Sequence, residues 1–99
     1  MTPRPVIFRI HAIQRMFERR ISEENVRQVL QSGEVIEDYS DEMPSSGGLM
    51  LGRCGSRPLH VVVTENPLGG EQVVITAYVP NPSQWKTGFK QRKNEMRYL

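Results

Sequence analysis

The stretch HAIQRMFERRISEENVRQVLQSGEVIEDY, residues 11–39, decides the fold, because two helical patterns run into a strand within it. Ile10, Ile13, Met16, Phe17 and Ile21 recur at three- and four-residue intervals, which predicts an amphipathic helix over 11–20 with those residues as its buried stripe. Ser22 interrupts as an N-cap, with Glu23 and Glu24 in a first turn where the helix dipole favours acids. Val26, Val29 and Leu30 form a second stripe, and Gly33 is a natural stop. Helices this short and this tightly joined need a further layer to bury their stripes.

Downstream, the pattern supplies that layer. Residues 35–39, 49–54, 59–65 and 71–79 read as strands, separated by a polar loop at 41–48 and by turns at 55–58 and 66–70. Short turns imply an antiparallel meander. The expected fold is therefore α+β, with two N-terminal helices packed on one face of a small four-stranded antiparallel sheet. Val6 to Arg9 is too brief to decide as an extra edge strand. Pro80 and Pro82 stop the last strand, since proline cannot donate to a ladder. Trp85 reads as an anchor for the terminal segment, and the basic tail 86–99 reads as a frayed helix or partly disordered, beside a single domain over 1–85.

At 99 residues the chain fits one domain with a core of its own, and a second is excluded by size. The single cysteine, Cys54, allows neither an intramolecular disulfide nor a cysteine-based zinc site, which fits a reducing compartment, the cytoplasm. No signal peptide or membrane span is expected. The net charge of +2 is unevenly spread. Six arginines face three glutamates between Arg4 and Arg27, five acids and no base lie between Glu34 and Glu42, and five bases face Glu95 between Lys86 and Arg97. Two basic ends brought together by folding would make a phosphate-binding surface. On composition alone, ordinary solvated charge is the better account.

Side-chain alternation gives a geometric expectation. If Glu65 pairs with Glu71, His60 lies opposite Thr76 and Pro58 opposite Tyr78. His60, Thr76 and Tyr78 then share the sheet's free face with Val62 and Val74. Leu59, Val61, Val63, Val73, Ile75, Ala77 and Val79 form the face that meets the helices.

Two constellations carry candidate chemistry. His11, Arg15 and Arg19 stand at i, i+4 and i+8, a line of acid–base and phosphate-holding groups with Glu18 beside them. An imidazole that exchanges a proton near neutral pH, with guanidinium groups on phosphoryl oxygens, suits cleavage of RNA through its own 2′-hydroxyl, with no metal or cofactor needed. The alternative is a capping histidine with solvated arginines. His60, Tyr78 and Thr76 form the second set, for which one satisfied hydrogen bond on a half-buried histidine is an equal alternative. The two histidines show no metal-ligand spacing, and Cys54 reads as a packed thiol.

The run 11–39, followed by RPLHVVV and VVITAYVP, resembles the bacterial domain of unknown function 4258 over roughly 10–80. That resemblance implies a fold near the RelE/ParE-like ribonuclease toxins and a role as the toxin of a toxin–antitoxin pair acting on RNA. It also implies a protein antitoxin partner, often of the zinc-finger type. His11, Arg15, Arg19, His60, Thr76 and Tyr78 are the matching positions. Ile10 stands where a capping serine or threonine is expected, and Arg20 where a glycine would ease the turn. The leading expectation is a metal-independent endoribonuclease with His11, His60 and Tyr78 catalytic and Arg15, Arg19 and Thr76 holding substrate. The runner-up is a non-catalytic module that docks a partner protein or RNA.

Overall fold

In the computed structural model, which describes residues 5–39 and 47–93, the chain runs β1 (Val6–Phe8), α1 (Ile10–Glu18), α2 (Glu23–Ser32), β2 (Glu34–Asp38), β3 (Gly47–Cys54), β4 (Arg57–Glu65) and β5 (Gln72–Tyr78). The sheet order is β1-β5-β4-β3-β2. This corrects the four-stranded antiparallel sheet: there are five strands, and β1 pairs β5 in parallel, with Val6 opposite Gln72 and Phe8 opposite Val74. Three residues carry no readable alternation, and what makes them a strand is a ladder to the far end of the domain. Gln72 donates to the Pro5 carbonyl and Arg9 to that of Val74, extending it at both ends. Part of the expected polar loop, 41–46, lies outside the described residues, and Gly47 and Gly48 already belong to β3.

Both helices lie on one face of the sheet, as expected, α1 over β5 and α2 over β3 and β4. Ala12, Met16, Ile21, Val26 and Val29 meet Met50, Leu59, Val61, Val63, Val74 and Ala77 in one buried cluster. Each large apolar side chain removed from water there stabilises the fold by about 1.5–3 kcal/mol. The contact is close where side chains are small: a Cβ built on Gly52 would lie 2.8 Å from Cγ2 of Val29.

The stripe expected on α1 is only partly buried. Ala12 and Met16 face the sheet, whereas Ile10, Ile13 and Phe17 are exposed. Small Ala12 seats the helix closely on β5, so only a narrow face is covered and the three larger chains fall outside it.

The link between the helices explains two sequence features. Ile21 donates to the Met16 carbonyl at 2.9 Å and Arg20 to that of Phe17 at 3.2 Å, the paired bonds of a Schellman ending, with buried Ile21 and Met16 supplying its apolar contact. The motif needs a left-handed residue, and here Arg20 takes it at φ 58° in place of glycine. Two residues on, Ser22 Oγ accepts from the Asn25 amide at 3.0 Å while Ser22 N–H donates to Asn25 Oδ1, the reciprocal cap that starts α2.

The strand register also differs. Glu65 pairs Gln72, Val62 pairs Thr76 and His60 pairs Tyr78, with an irregularity between Val62 and Val63. On β5 the extra residue is Ile75, so the alternation changes phase there and Val74, expected on the face of His60, enters the helix-side core instead. Val73 and Ile75, expected among the helix-facing residues, are only half-buried. His60, Thr76 and Tyr78 keep the common face they were expected to share. That face is not free. Leu49, Leu51 and His60 are buried on it, and Trp85 from the segment 84–93 is buried edge-on against His60. Among the described residues, no helix is long and apolar enough to cross a membrane.

Candidate functional site

The terminal segment folds back on itself before it reaches the sheet. Lys93 donates to the Gln84 carbonyl and Lys86 to that of Gln91, with Trp85 and Arg92 bridged between them. The tip turns at Gly88 and Phe89, both at positive φ, 91° and 62°. The expected frayed helix is therefore a hook over residues 84–93, and 94–99 lie outside the described residues.

Three contacts fasten the hook. His60 Nε2 lies 2.9 Å from the Phe89 carbonyl oxygen, which only accepts, so Nε2 carries the proton and Nδ1 is left to accept from the Tyr78 hydroxyl at 3.3 Å. The Trp85 ring stands edge-on to the imidazole, centroids 4.4 Å apart. Arg92 stacks over Trp85 at 4.6 Å and grips Glu37 with two bonds, 2.9 and 3.0 Å. Tyr39 Oη donates to the same carboxylate at 2.6 Å. Lys90 adds an exposed pair with Glu34 at 3.0 Å.

The protonation states follow from this packing. Burial holds the His60 imidazole below its ordinary pKa, against the opposing pull of the Phe89 carbonyl and the Glu37 charge. Burial also raises the Tyr78 hydroxyl, and with the Glu37 contact pushes Tyr39 up to about 12. Burial would raise Glu37, but hydrogen bonds from Arg92 and Tyr39 outweigh it, and the carboxyl sits below its usual value. The cluster is a neutral imidazole, two protonated phenols and a tight carboxylate–guanidinium pair. A carboxylate so held is a weak base, and a fully buried imidazole touches no solute.

The other candidate set lies across the sheet. His11 is exposed on α1, and Arg15 pairs loosely with Glu18 at 3.7 Å. Arg19 Nη1 reaches the Ala77 carbonyl at 2.9 Å. Because Leu59 and Val61 face the core on the helix side of the sheet, His60 between them points away from it. The structure therefore brings His60 and Tyr78 together and keeps Thr76 on their face, opposite Val62, but sets His11, Arg15 and Arg19 on the opposite side. His11 and His60 do not converge.

Sequence reasoning missed Glu37, Tyr39 and Arg92. The alternation of Glu37 and Tyr39 was a usable signal that the two share a face; nothing local marks Arg92 as their partner. It also missed Arg57, whose guanidinium donates to the carbonyls of Arg19 at 2.8 Å and Arg20 at 2.9 Å, satisfying the open end of α1. Arg15, Arg19, Arg20 and Arg57 thus gather around one helix end. Cys54 is a packed thiol, its Sγ 3.6 Å from the Asn25 carbonyl.

A family model for a domain of unknown function, DUF4258, matches residues 8–79. The chain belongs to that family. The match runs from Phe8, the last residue of β1, through β5 and stops short of the hook, so this DUF4258 domain carries its cover over His60 outside the matched region. No curated protein and no solved structure matches the chain.

Proposed function

We propose that this DUF4258 chain is the toxin half of a bacterial toxin–antitoxin pair and acts on RNA, gripping the phosphodiester backbone at the C-terminal end of α1. The observation that carries this reading is the gathering of Arg15, Arg19, Arg20 and Arg57 there, where among the described residues the only ion pair is the loose one of Arg15 with Glu18. Guanidinium groups spaced around exposed backbone carbonyls offer donors to successive phosphates. The pairing with an antitoxin is part of the same proposal and rests on what membership of the DUF4258 family implies, a place near the RelE/ParE-like toxins.

Of the two imidazoles, His11 is the one a substrate can reach, and it lies one helical turn from Arg15. Cleavage on this surface would use His11 as the base for the 2′-hydroxyl proton, with Arg15 beside the phosphate. His60 and Tyr78 would serve the hook. The separation of the two histidines favours a second reading, in which the same surface binds RNA without cutting it.

One experiment separates them. Single-stranded RNA is incubated with wild-type protein and with folded Arg15→Glu, Arg20→Glu and His11→Ala variants, and both retention and fragments are scored. Retention should fall with the charge reversals and steeply with salt, by about 0.7 of a log unit per phosphate contact per tenfold salt. Fragments that vanish in His11→Ala establish the enzyme, and retention without fragments establishes the binding module. RNA neither held nor cut would sink both.

A further inference from the structure

The exposed side of α1 carries three large apolar side chains in line: Ile10 at 73 % exposure, Ile13 at 45 % and Phe17 at 85 %. They stand at i, i+3 and i+7, so they form one continuous stripe along the helix. Arg9 stands at its start and Arg20 just past its end, both exposed and neither in an ion pair among the described residues. The nine residues of α1 lie between those two positions, about 13 Å of helical rise. An apolar line of this kind is uncommon where nothing covers it, because each side chain keeps its hydration cost.

The charges say what covers it. A second copy of this chain is disfavoured in either orientation: antiparallel docking sets Arg9 against Arg20, and parallel docking sets each arginine against itself. A neutral apolar segment would leave both cations partly desolvated and unpaired. We infer that this stripe is the docking site of a partner protein's acidic amphipathic helix, which lays leucine-type side chains along Ile10, Ile13 and Phe17 and pairs a carboxylate with Arg9 at one end and with Arg20 at the other. The bound helix also lies beside Arg15, so partner and RNA compete for the same end of α1. The docking itself stands apart from the RNA reading, since Ile10 and Phe17 belong to no phosphate contact.

The test uses full-length protein and a labelled helical peptide with leucines at three- and four-residue spacing and glutamates about nine residues apart. A second peptide carries lysines in place of the glutamates. The acidic peptide should bind, and Phe17→Ser or Ile10→Ser should weaken it at least tenfold, as loss of a central apolar anchor does. Arg9→Ala should weaken it less, and the lysine peptide should not bind. Both serine variants should keep the wild-type circular dichroism, because the replaced side chains already lie in water, and should keep RNA retention. Absent binding, equal binding of the two peptides, or indifference to Phe17→Ser overturns the inference while leaving the RNA result standing. A dimer seen by light scattering that Phe17→Ser dissolves overturns it too, by naming a second copy as the occupant.

Discussion

His60 donates its Nε2 proton to the carbonyl of Phe89 at 2.9 Å, so a central strand holds down the tip of a segment 29 residues away. One of the two histidines expected to be catalytic is thus the anchor of the C-terminal hook. Its neutral, Nε2-protonated form is required at one nitrogen and accommodated by Tyr78 at the other.

That requirement makes stability depend on pH. The folded pKa of His60 lies below its ordinary value of 6.5, so between the two the unfolded chain binds more protons than the folded one. Stability should fall as pH drops below about 6.5 and through the folded pKa. Urea denaturation at pH 7.5 and 5.5 measures the difference, which should shrink in His60→Gln. Glu37, held below 4.5, adds a separate loss at more acidic pH, where its carboxylate protonates and releases Arg92. An unchanged midpoint between 7.5 and 5.5 in the wild type would contradict the assignment.

Arg92 and Glu37 are partly exposed, at 39 % and 25 %, so their pair is discounted for solvent screening to about 1 kcal/mol despite two good bonds. Arg92→Ala should cost about that much, plus the stacking on Trp85, another ~0.5–1 kcal/mol. A double-mutant cycle with Glu37→Gln should show the two positions coupled, and additive effects would mean that the Arg92–Glu37 pair does not hold the hook.

Arg20 occupies a left-handed conformation at φ 58°, where glycine is at ease and a side chain is strained. Arg20→Gly should raise stability by about 0.5–1 kcal/mol and shift the thermal midpoint upward. The same change should weaken RNA retention, since it removes a cation from the end of α1. A gain in stability bought with a loss of binding would mark Arg20 as a residue kept for its charge.

Gly52 lies under Val29, where a Cβ would come within 2.8 Å of Cγ2 and 3.1 Å of two further carbons. Gly52→Ala should destabilise by about 1–3 kcal/mol through overpacking between α2 and β3. Pairing it with Val29→Ala should recover part of the loss in chemical denaturation, and no recovery would place the strain elsewhere.

What the sequence determined by itself was local. The two helices, the Ser22 cap, the stop at Gly33, four of the five strands and the common face of His60, Thr76 and Tyr78 all follow from periodicity, capping chemistry and alternation, which act over a few residues. What only the tertiary structure decided was long-range. β1 exists as a strand because β5 accepts it in parallel, and Val74 faces the helices because one extra residue at Ile75 resets the alternation. Ile10, Ile13 and Phe17 stay in water because Ala12 seats α1 closely on the sheet and leaves only a narrow face covered. His60 changed most in meaning: its face could be read from alternation, but the hook that seals it depends on Phe89 and Arg92 arriving from a segment with no apolar period of its own. Such contacts are selected by the whole fold, where a carbonyl, a guanidinium and an indole are brought within bonding distance of groups far away in the chain.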